Sequence, residues 1–235
     1  SEKNTLYIND GKGWFKDNSF EANLATSSLP YTAFGTGFFD YDNDGQQDLF
    51  VANGEVRTIE VLAGQGDPYP LHQPNQLFRN LGEGRFAEVT EQGGSVFELS
   101  EVSRGAAFGD VDNDGDEDIL LFNNSGRARL LINNVGNRNH WLGLRLTGRQ
   151  SSRDALGTWV GVFRSDGPAL WRRIRTDGSY GSASDPRVLV GLGDSEKVTK
   201  VRAHWPSGLV EEWTGLAVDR YTTLQEGSGE KVQVD

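Results

Sequence analysis

Two segments of the chain carry the same pattern at an offset of 70 residues. Residues 37–53 read GFFDYDNDGQQDLFVAN, and residues 107–123 read AFGDVDNDGDEDILLFN. Both contain D-x-D-N-D-G-x-x-D followed by four apolar residues. A second element, NTLYINDGKGWF at 4–15, recurs as NQLFRNLGEGRF at 75–86 and in shorter form as RLLINNVGN at 129–137. Such repeats constrain the architecture strongly, because each copy must form one supersecondary unit that packs on the next.

The segments between the turn residues have the length and composition of strands. The runs LYI, FFDYD, DLFV, QLFR, AAFGD, DILLF and RLLIN are rich in aromatic and branched residues and are bounded by Gly, Asn and Asp. Residues 55–73 hold several Gly and Pro and are predicted to be a loop insertion. No capped segment with a helical period is evident. We therefore predict an all-β protein, and an apolar content of 36% with 30 glycines agrees with many turns.

The pattern changes after about residue 138. HWLGLRLTG alternates apolar and polar residues, and TWVGVFR, ALWRRIRT, RVLVGLG, KVRAHWP, VEEWTGL and YTTLQE follow at regular spacing, which predicts a β-sandwich or barrel. Charge divides at the same place, because residues 1–138 hold 22 Asp and Glu against 10 Lys and Arg, while residues 139–235 hold 12 against 13. We predict a repeat region at 1–138, a second β domain at 139–228, and a tail or trailing edge strand at 229–235.

Composition excludes several partners. The net charge of -11 argues against nucleic acid and anionic membranes, since there is no net positive field to attract phosphate. No run approaches the ~20 apolar residues that span a bilayer. The chain has no cysteine and therefore no disulfides. Arg172, Arg173 and Arg175 cluster on one predicted strand and form either a solvated face or a surface that docks the second domain on the acidic repeats.

The spacing of the aspartates predicts two calcium sites. Carboxylates at positions 1, 3 and 5 of a loop, a backbone carbonyl at 7 and an oxygen donor at 9 can wrap around a hard cation that takes six to eight oxygens. Gly45 and Gly115 supply the sharp turn at position 6. The predicted donors are Asp40, Asp42, Asp44, the carbonyl of Gln46 and Asp48 in the first loop, and Asp110, Asp112, Asp114, the carbonyl of Asp116 and Asp118 in the second.

These loops are not EF-hands. An EF-hand needs flanking helices and a glutamate at position 12, where this chain has Val51 and Leu121. The simpler alternative is a solvated acidic turn without a metal. Two carboxylates ~4 Å apart repel by about 4 kcal/mol at an effective dielectric of about 20, so a group of three or four favours a bound cation over the simple turn.

Both halves resemble known families. FFDYDNDGQQDLFVAN and AFGDVDNDGDEDILLFNN are similar to the FG-GAP/VCBS repeats of integrin-type β-propellers, in which each repeat is a four-stranded blade with a calcium loop. Residues 178–226, with G-S-Y, D-P, G-L-G and W-P-S-G, resemble the ASPIC/UnbV domain, although LGTW at 156–159 replaces a usual Gly-Ala-Arg strand. The combination resembles the cartilage-acidic-protein family and its bacterial relatives, which implies a secreted or surface protein.

We expect an extracellular, calcium-stabilised structural or adhesive module of bacterial type, without catalytic activity. Its partner would be a protein or glycan at the cell surface or matrix. Two complete loops are fewer than the blades of a propeller, so we also expect either a further upstream segment or self-association through open sheet edges. The alternatives are a carbohydrate-binding module that uses exposed Trp or Tyr, and, less favoured, part of a secreted hydrolase.

Overall fold

The computed structural model describes residues 3–233, so residues 1–2 and the last two residues of the predicted tail lie outside the description. Residues 3–138 contain eleven short strands, which follow the turn residues of the sequence. They are β1 Tyr7–Asn9, β2 Phe15–Asp17, β3 Ala33–Phe39, β4 Asp48–Asn53, β5 Gln73–Pro74, β6 Gln76–Asn80, β7 Phe86–Glu88, β8 Ser100–Glu101, β9 Ser103–Gly109, β10 Asp118–Asn123 and β11 Arg129–Leu131.

Within residues 3–138 these strands form four sheets of unequal size. β3, β4, β6 and β7 form a four-stranded antiparallel sheet in that order, which is a complete blade. β9, β10 and β11 form an equivalent sheet with three strands. The hairpin β1–β2 forms a sheet of two strands, and β5 pairs with β8. The first aspartate loop joins β3 to β4, and the second joins β9 to β10. The two loops therefore lie at equivalent places in their sheets, which agrees with the repeat offset of 70 residues.

Residues 139–233, the described part of the second unit, contain eight strands in two sheets. They are β12 His140–Thr147, β13 Trp159–Phe163, β14 Leu170–Arg173, β15 Val188–Gly193, β16 Lys200–His204, β17 Val210–Trp213, β18 Tyr221–Gln225 and β19 Glu230–Lys231. One sheet has the order β15-β12-β18, in which β12 and β18 are parallel, and the other has the order β14-β13-β16-β17-β19. Side chains from both sheets, such as Leu144 and Val190 from one and Val160 and Val201 from the other, form one apolar core.

The two larger blades pack closely. Phe50 and Ala52 of β4 meet Phe108 of β9 and Ile119 of β10 in a shared core. The approach depends on Gly37 of β3, because a Cβ there would lie 2.2 Å from the Phe108 ring. On the other side of the blade, Leu49, Val51, Phe78 and Phe86 form a second core with residues 22–24.

The predicted all-β class with propeller-type blades is confirmed. Helix is confined, within residues 3–233, to α1 Ala25–Ser28, α2 Glu60–Gly64 and three single turns of 3-10 helix at Thr90–Gln92, Ser95–Glu98 and Gly136–Arg138. α2 lies inside the insertion that the sequence predicts as loop. The C-terminal segment is predicted from the sequence to be either a tail or a trailing edge strand. It forms an edge strand, since β19 pairs with β17. None of these helices has the length and apolar character needed to cross a bilayer.

Candidate metal centres

The first aspartate loop gathers three carboxylates between β3 and β4. Oxygens of Asp40, Asp42 and Asp48 lie within 4.8 Å of one another. The loop turns through Asn43 (φ 52°) and Gly45 (φ 93°), both in the left-handed region, where Asn and Gly are the residues with the least strain. This local preference explains why the N-D-G sequence follows the first two aspartates.

Backbone N–H groups hold the carboxylates of this loop in place. Asp40 accepts hydrogen bonds from the N–H groups of Asp44 (3.0 Å) and Gly45 (2.9 Å). Asp48 accepts from Tyr41 (3.1 Å) within the loop and from Asn80 (2.7 Å) at the end of β6. The first and last aspartates therefore tie the loop to itself and to the neighbouring strand.

The second loop gathers Asp110, Asp112 and Asp114, again with oxygens within 4.8 Å of one another. Asp110 accepts from the Gly115 N–H (3.1 Å), as Asp40 does from Gly45. Asp118 accepts from the N–H groups of Val111 (2.8 Å) and Asn133 (2.9 Å), as Asp48 does from Tyr41 and Asn80. Both loops thus share the hydrogen bonds to their first and last aspartates, whereas the N–H at position 5 donates to Asp40 in the first loop and to Asp112 in the second.

The remaining predicted donors lie next to these clusters. Asp44 accepts from the Gln46 N–H at 2.8 Å, and Asp114 accepts from the Asp116 N–H at 3.3 Å. The Asp116 side chain is buried and accepts from the Asn137 N–H at 3.1 Å. Asp48 belongs to the first cluster, whereas Asp118 holds the second loop through backbone N–H groups. Coordination by the carbonyls of Gln46 and Asp116 stays a prediction.

Several buried oxygens in the loops lack a hydrogen-bond partner within the described residues. They are Oδ1 of Asp42, Asn43, Asp110 and Asp116. A buried acceptor without a partner is costly, and a carboxylate more so. Oxygen donors from carboxylates and amides are the ligands that Ca²⁺ prefers, so the donor set fits a hard divalent cation at each loop.

Burial dominates the electrostatics of both loops. It raises the pKa of Asp48 to about 7 and the pKa of Asp40 well above its usual value, and neighbouring aspartates add to both effects. Burial likewise raises the pKa of Asp116 to about 7 in the second loop. These carboxylates are therefore expensive to keep ionised without a compensating positive charge.

Comparison with protein families now assigns part of each half. Residues 57–121 match the model of the FG-GAP-like repeat, and residues 148–231 match the model named ASPIC and UnbV. The chain combines an FG-GAP-like repeat with an ASPIC/UnbV domain. The two resemblances seen in the sequence are confirmed in the same order, and the narrower one to cartilage acidic protein stays a prediction. The comparison with curated proteins finds no match.

The ASPIC/UnbV domain covers the first aspartate loop. Arg172 of β14 donates to the Gly45 carbonyl at 3.0 Å and lies 3.8 Å from Asp40. The Asn43 carbonyl accepts from the Gly193 N–H at 2.8 Å. Of the two readings of the arginine cluster, docking on the acidic repeats therefore applies to Arg172, whereas Arg173 and Arg175 are exposed.

The second FG-GAP loop is covered by a different set of side chains. The Trp141 ring lies against Gly115, where a Cβ would come within 1.9 Å of it. The Tyr221 hydroxyl donates to Asp110 Oδ2 at 2.8 Å, and Arg187 donates to the Asp110 carbonyl and to Asn113 Oδ1. The geometry thus couples both loops to the neighbouring domain.

Sequence reasoning missed the asparagines that close each loop. Asn80 is the last residue of β6, and Asn133 lies at the equivalent position of the next repeat, just after β11. Their N–H groups donate to Asp48 and Asp118. The available signal was the asparagine that recurs before each turn, at 9, 80 and 133. Contacts from Trp141, Arg187 and Tyr221 had no local signal, because they come from the other domain.

Proposed function

We propose that this chain is an extracellular structural or adhesive module whose two FG-GAP loops bind Ca²⁺ and that has no chemistry of its own. The two domain types indicate a repeat-based interaction module of extracellular type. A protein or glycan at a cell surface or matrix is the proposed partner. A rigid surface for such a partner needs ordered loops, and the ions are proposed to supply that order.

The buried oxygens without a partner carry this proposal. They occur in both loops, at Asp42 and Asp110 among others, and the two loops share the hydrogen bonds to their first and last aspartates. A solvated acidic turn, which is the simpler alternative, would leave its carboxylates in water. Burial of the first and last aspartates of each loop, Asp40, Asp48, Asp110 and Asp118, argues against that alternative.

Asp40, Asp42 and Asp48 would hold one ion, and Asp110, Asp112 and Asp114 the other. A bound ion supplies positive charge that offsets the repulsion among these carboxylates. The residues of the chain orient the donors: Gly45 and Gly115 N–H groups fix the first aspartate, and Asn80 and Asn133 N–H groups fix the last. The result is that each loop joins two strands of its blade firmly.

Thermal unfolding with calcium and with EGTA tests the proposal. Sites of the extracellular type often have dissociation constants of about 10⁻⁴–10⁻³ M. At ten times that concentration each site adds about 1.4 kcal/mol, so two sites should raise the melting temperature by about 6–11 °C. Native mass spectrometry should count two ions per chain.

Matched variants separate ion binding from general loss of charge. Asp42→Asn and Asp110→Asn should each remove one ion from the native mass and reduce the calcium-dependent shift. Asp67→Asn is the control, because Asp67 is remote in sequence from both loops and its side-chain oxygen, which accepts from the Tyr69 N–H at 2.7 Å, is kept by asparagine. A wild-type chain that carries no ion and melts equally in EGTA would contradict the proposal.

A further inference from the structure

The hairpin β1–β2 is a structural copy of the hairpin β6–β7. Tyr7 pairs with Asp17 and Asn9 with Phe15, in the register that pairs Phe78 with Glu88 and Asn80 with Phe86. Asn9 Oδ1 accepts from the Gly11 N–H at 2.6 Å, as Asn80 Oδ1 accepts from the Gly82 N–H at 2.9 Å. The first hairpin is therefore shaped as the outer half of a blade.

The apolar face of the copy is exposed where that of the original is buried. Phe78 and Phe86 are 1% and 4% exposed, because they pack against Leu49 and Val51 of β4. Their counterparts Tyr7 and Phe15 are 59% and 63% exposed. Within residues 3–233, no strand pairs with the edge of β1 that corresponds to the β4-facing edge of β6. An open strand edge beside exposed aromatic rings is a template for strand addition.

The polar end of the copy also lacks its partner. The N–H groups of Asn80 and Asn133 donate to the last aspartate of their loops at 2.7 and 2.9 Å. No side chain in the described part of the chain accepts from the Asn9 N–H. This contact occurs twice in the chain, at Asn80 and at Asn133. By analogy, the strand that fits beside Asn9 is an apolar strand that begins with an aspartate.

We infer that β1 and its apolar face bind the inner strand pair of another FG-GAP-like repeat, whose last loop aspartate accepts from the Asn9 N–H. A second copy of this chain is a poor occupant, because its own β3–β4 pair is already held by β6 and β7. The inference stands on β1–β2 and does not depend on ions in the two loops described above, so it fails or survives separately from the proposed function.

A fusion tests this inference on the whole chain. A copy of residues 30–71, which contains β3, the aspartate loop, β4 and the insertion, is placed before residue 1, so that its spacing to β1 repeats that of β4 to β6. Amide hydrogen exchange is then followed in the unique segment 5–17. Strand addition should slow exchange there at least tenfold relative to the unfused chain.

The matched control is the same fusion with Leu49→Asp and Val51→Asp in the added copy only, which removes the apolar contact with Tyr7 and Phe15. Protection of residues 5–17 in the fusion and its loss in the control supports the inference. Unchanged exchange in the fusion, or equal protection in the control, overturns it. A concentration-dependent dimer of the unfused chain that protects the same segment also overturns it, since the occupant would then be a second copy.

Discussion

The two aspartate loops share a motif but differ in the charge placed beside them. Next to the first loop, Arg79 Nη2 lies 2.9 Å from Asp42 and 3.5 Å from Asp44. The equivalent position in the next repeat is Ile132, because Phe78 and Leu131 pair with the equivalent residues Leu49 and Ile119. Arg79 partly neutralises the carboxylates of the first loop. The arginine beside the second loop, Arg187, instead donates to the Asp110 carbonyl and to Asn113, and it pairs with Asp185.

This difference teaches that one motif can give two sites of unequal strength. A cation already beside the carboxylates competes with a bound ion for the same charge. We therefore expect the second loop to bind calcium more tightly and to depend on it more. The second loop is also the one that Trp141 and Tyr221 of the second unit cover, so loss of its ion should loosen the contact between the two units.

The largest expected effect comes from adding one methyl group to each loop. Gly115→Ala would place a Cβ 1.9 Å from the Trp141 ring, whereas Gly45→Ala would meet the Leu170 side chain only at 3.1 Å. Both glycines have positive φ, which costs alanine about 1–2 kcal/mol. We expect Gly115→Ala to lower the free energy of unfolding by about 3–5 kcal/mol and Gly45→Ala by about 1–3 kcal/mol. Urea denaturation measures both losses. Equal losses would contradict the inference that Trp141 packs more tightly on Gly115 than Leu170 packs on Gly45.

The local parts of these sites could be predicted from the sequence. The repeat offset located β3–β4 and β9–β10, and the D-x-D-N-D-G spacing located Asp40 and Asp110, because both depend on contacts between residues that are near in sequence. The loop's apolar continuation at residues 119–122 likewise marked β10.

The long-range parts could not be predicted. Arg79 neutralises the first loop from 35 residues away, and Tyr221 donates to Asp110 from 111 residues away. Nothing in the pattern around Tyr221 distinguishes it from a residue of the second domain's core. The short helix α2 also escaped prediction, since Glu60–Gly64 is bounded by Gly and Pro residues that indicate loop.

A buried carboxylate outside the loops sharpens the comparison. Glu226 is 1% exposed and accepts from the N–H groups of Arg149, Gln150 and Ser151 at 2.7–2.8 Å. Burial opposes its ionisation, but these bonds and one from Ser207 outweigh burial and lower its pKa to about 2. This group needs no ion, in contrast to the loop aspartates.

The expected result is that Glu226→Gln costs about 2 kcal/mol at neutral pH, the size of a hydrogen bond to a charged group, with or without EGTA. Because the folded pKa lies below the unfolded value of about 4.3, this stabilisation is fully present above that value and is lost as the pH falls through about 2. Urea denaturation at pH 7 and at pH 2.5 should show the difference from the wild type shrinking. A difference that depends on calcium would contradict the assignment.

Exchanging the residues beside the loops tests the charge argument directly. Arg79→Ile should strengthen calcium binding at the first loop about fivefold, and Ile132→Arg should weaken it at the second about fivefold, which corresponds to the ~1 kcal/mol of a half-exposed charge pair. Isothermal titration calorimetry measures both constants. The control is Arg85→Ile, which removes an exposed arginine from the turn after β6 whose ion-pair partner within residues 3–233 is Glu83. If the two sites keep their wild-type order of affinity in the double exchange, the charge argument is wrong.

The smallest expected effect concerns the hydroxyl that only the second loop receives. Tyr221→Phe removes the hydrogen bond to Asp110 Oδ2 and leaves the ring, whose centroid lies 5.3 Å from that of Trp141 in a tilted arrangement and 4.4 Å from the Arg187 guanidinium. We expect a loss of about 1 kcal/mol. In the Asp110→Asn background the loss should shrink, because the hydroxyl then faces a neutral acceptor, and a double-mutant cycle by urea denaturation measures the coupling. Full additivity would mean that the hydroxyl serves the domain interface alone. A coupling of about 0.5 kcal/mol or more would instead link Tyr221 of the ASPIC/UnbV domain to the Asp110 carboxylate itself. Calcium binding at this loop would then affect the stability of the domain interface through this contact.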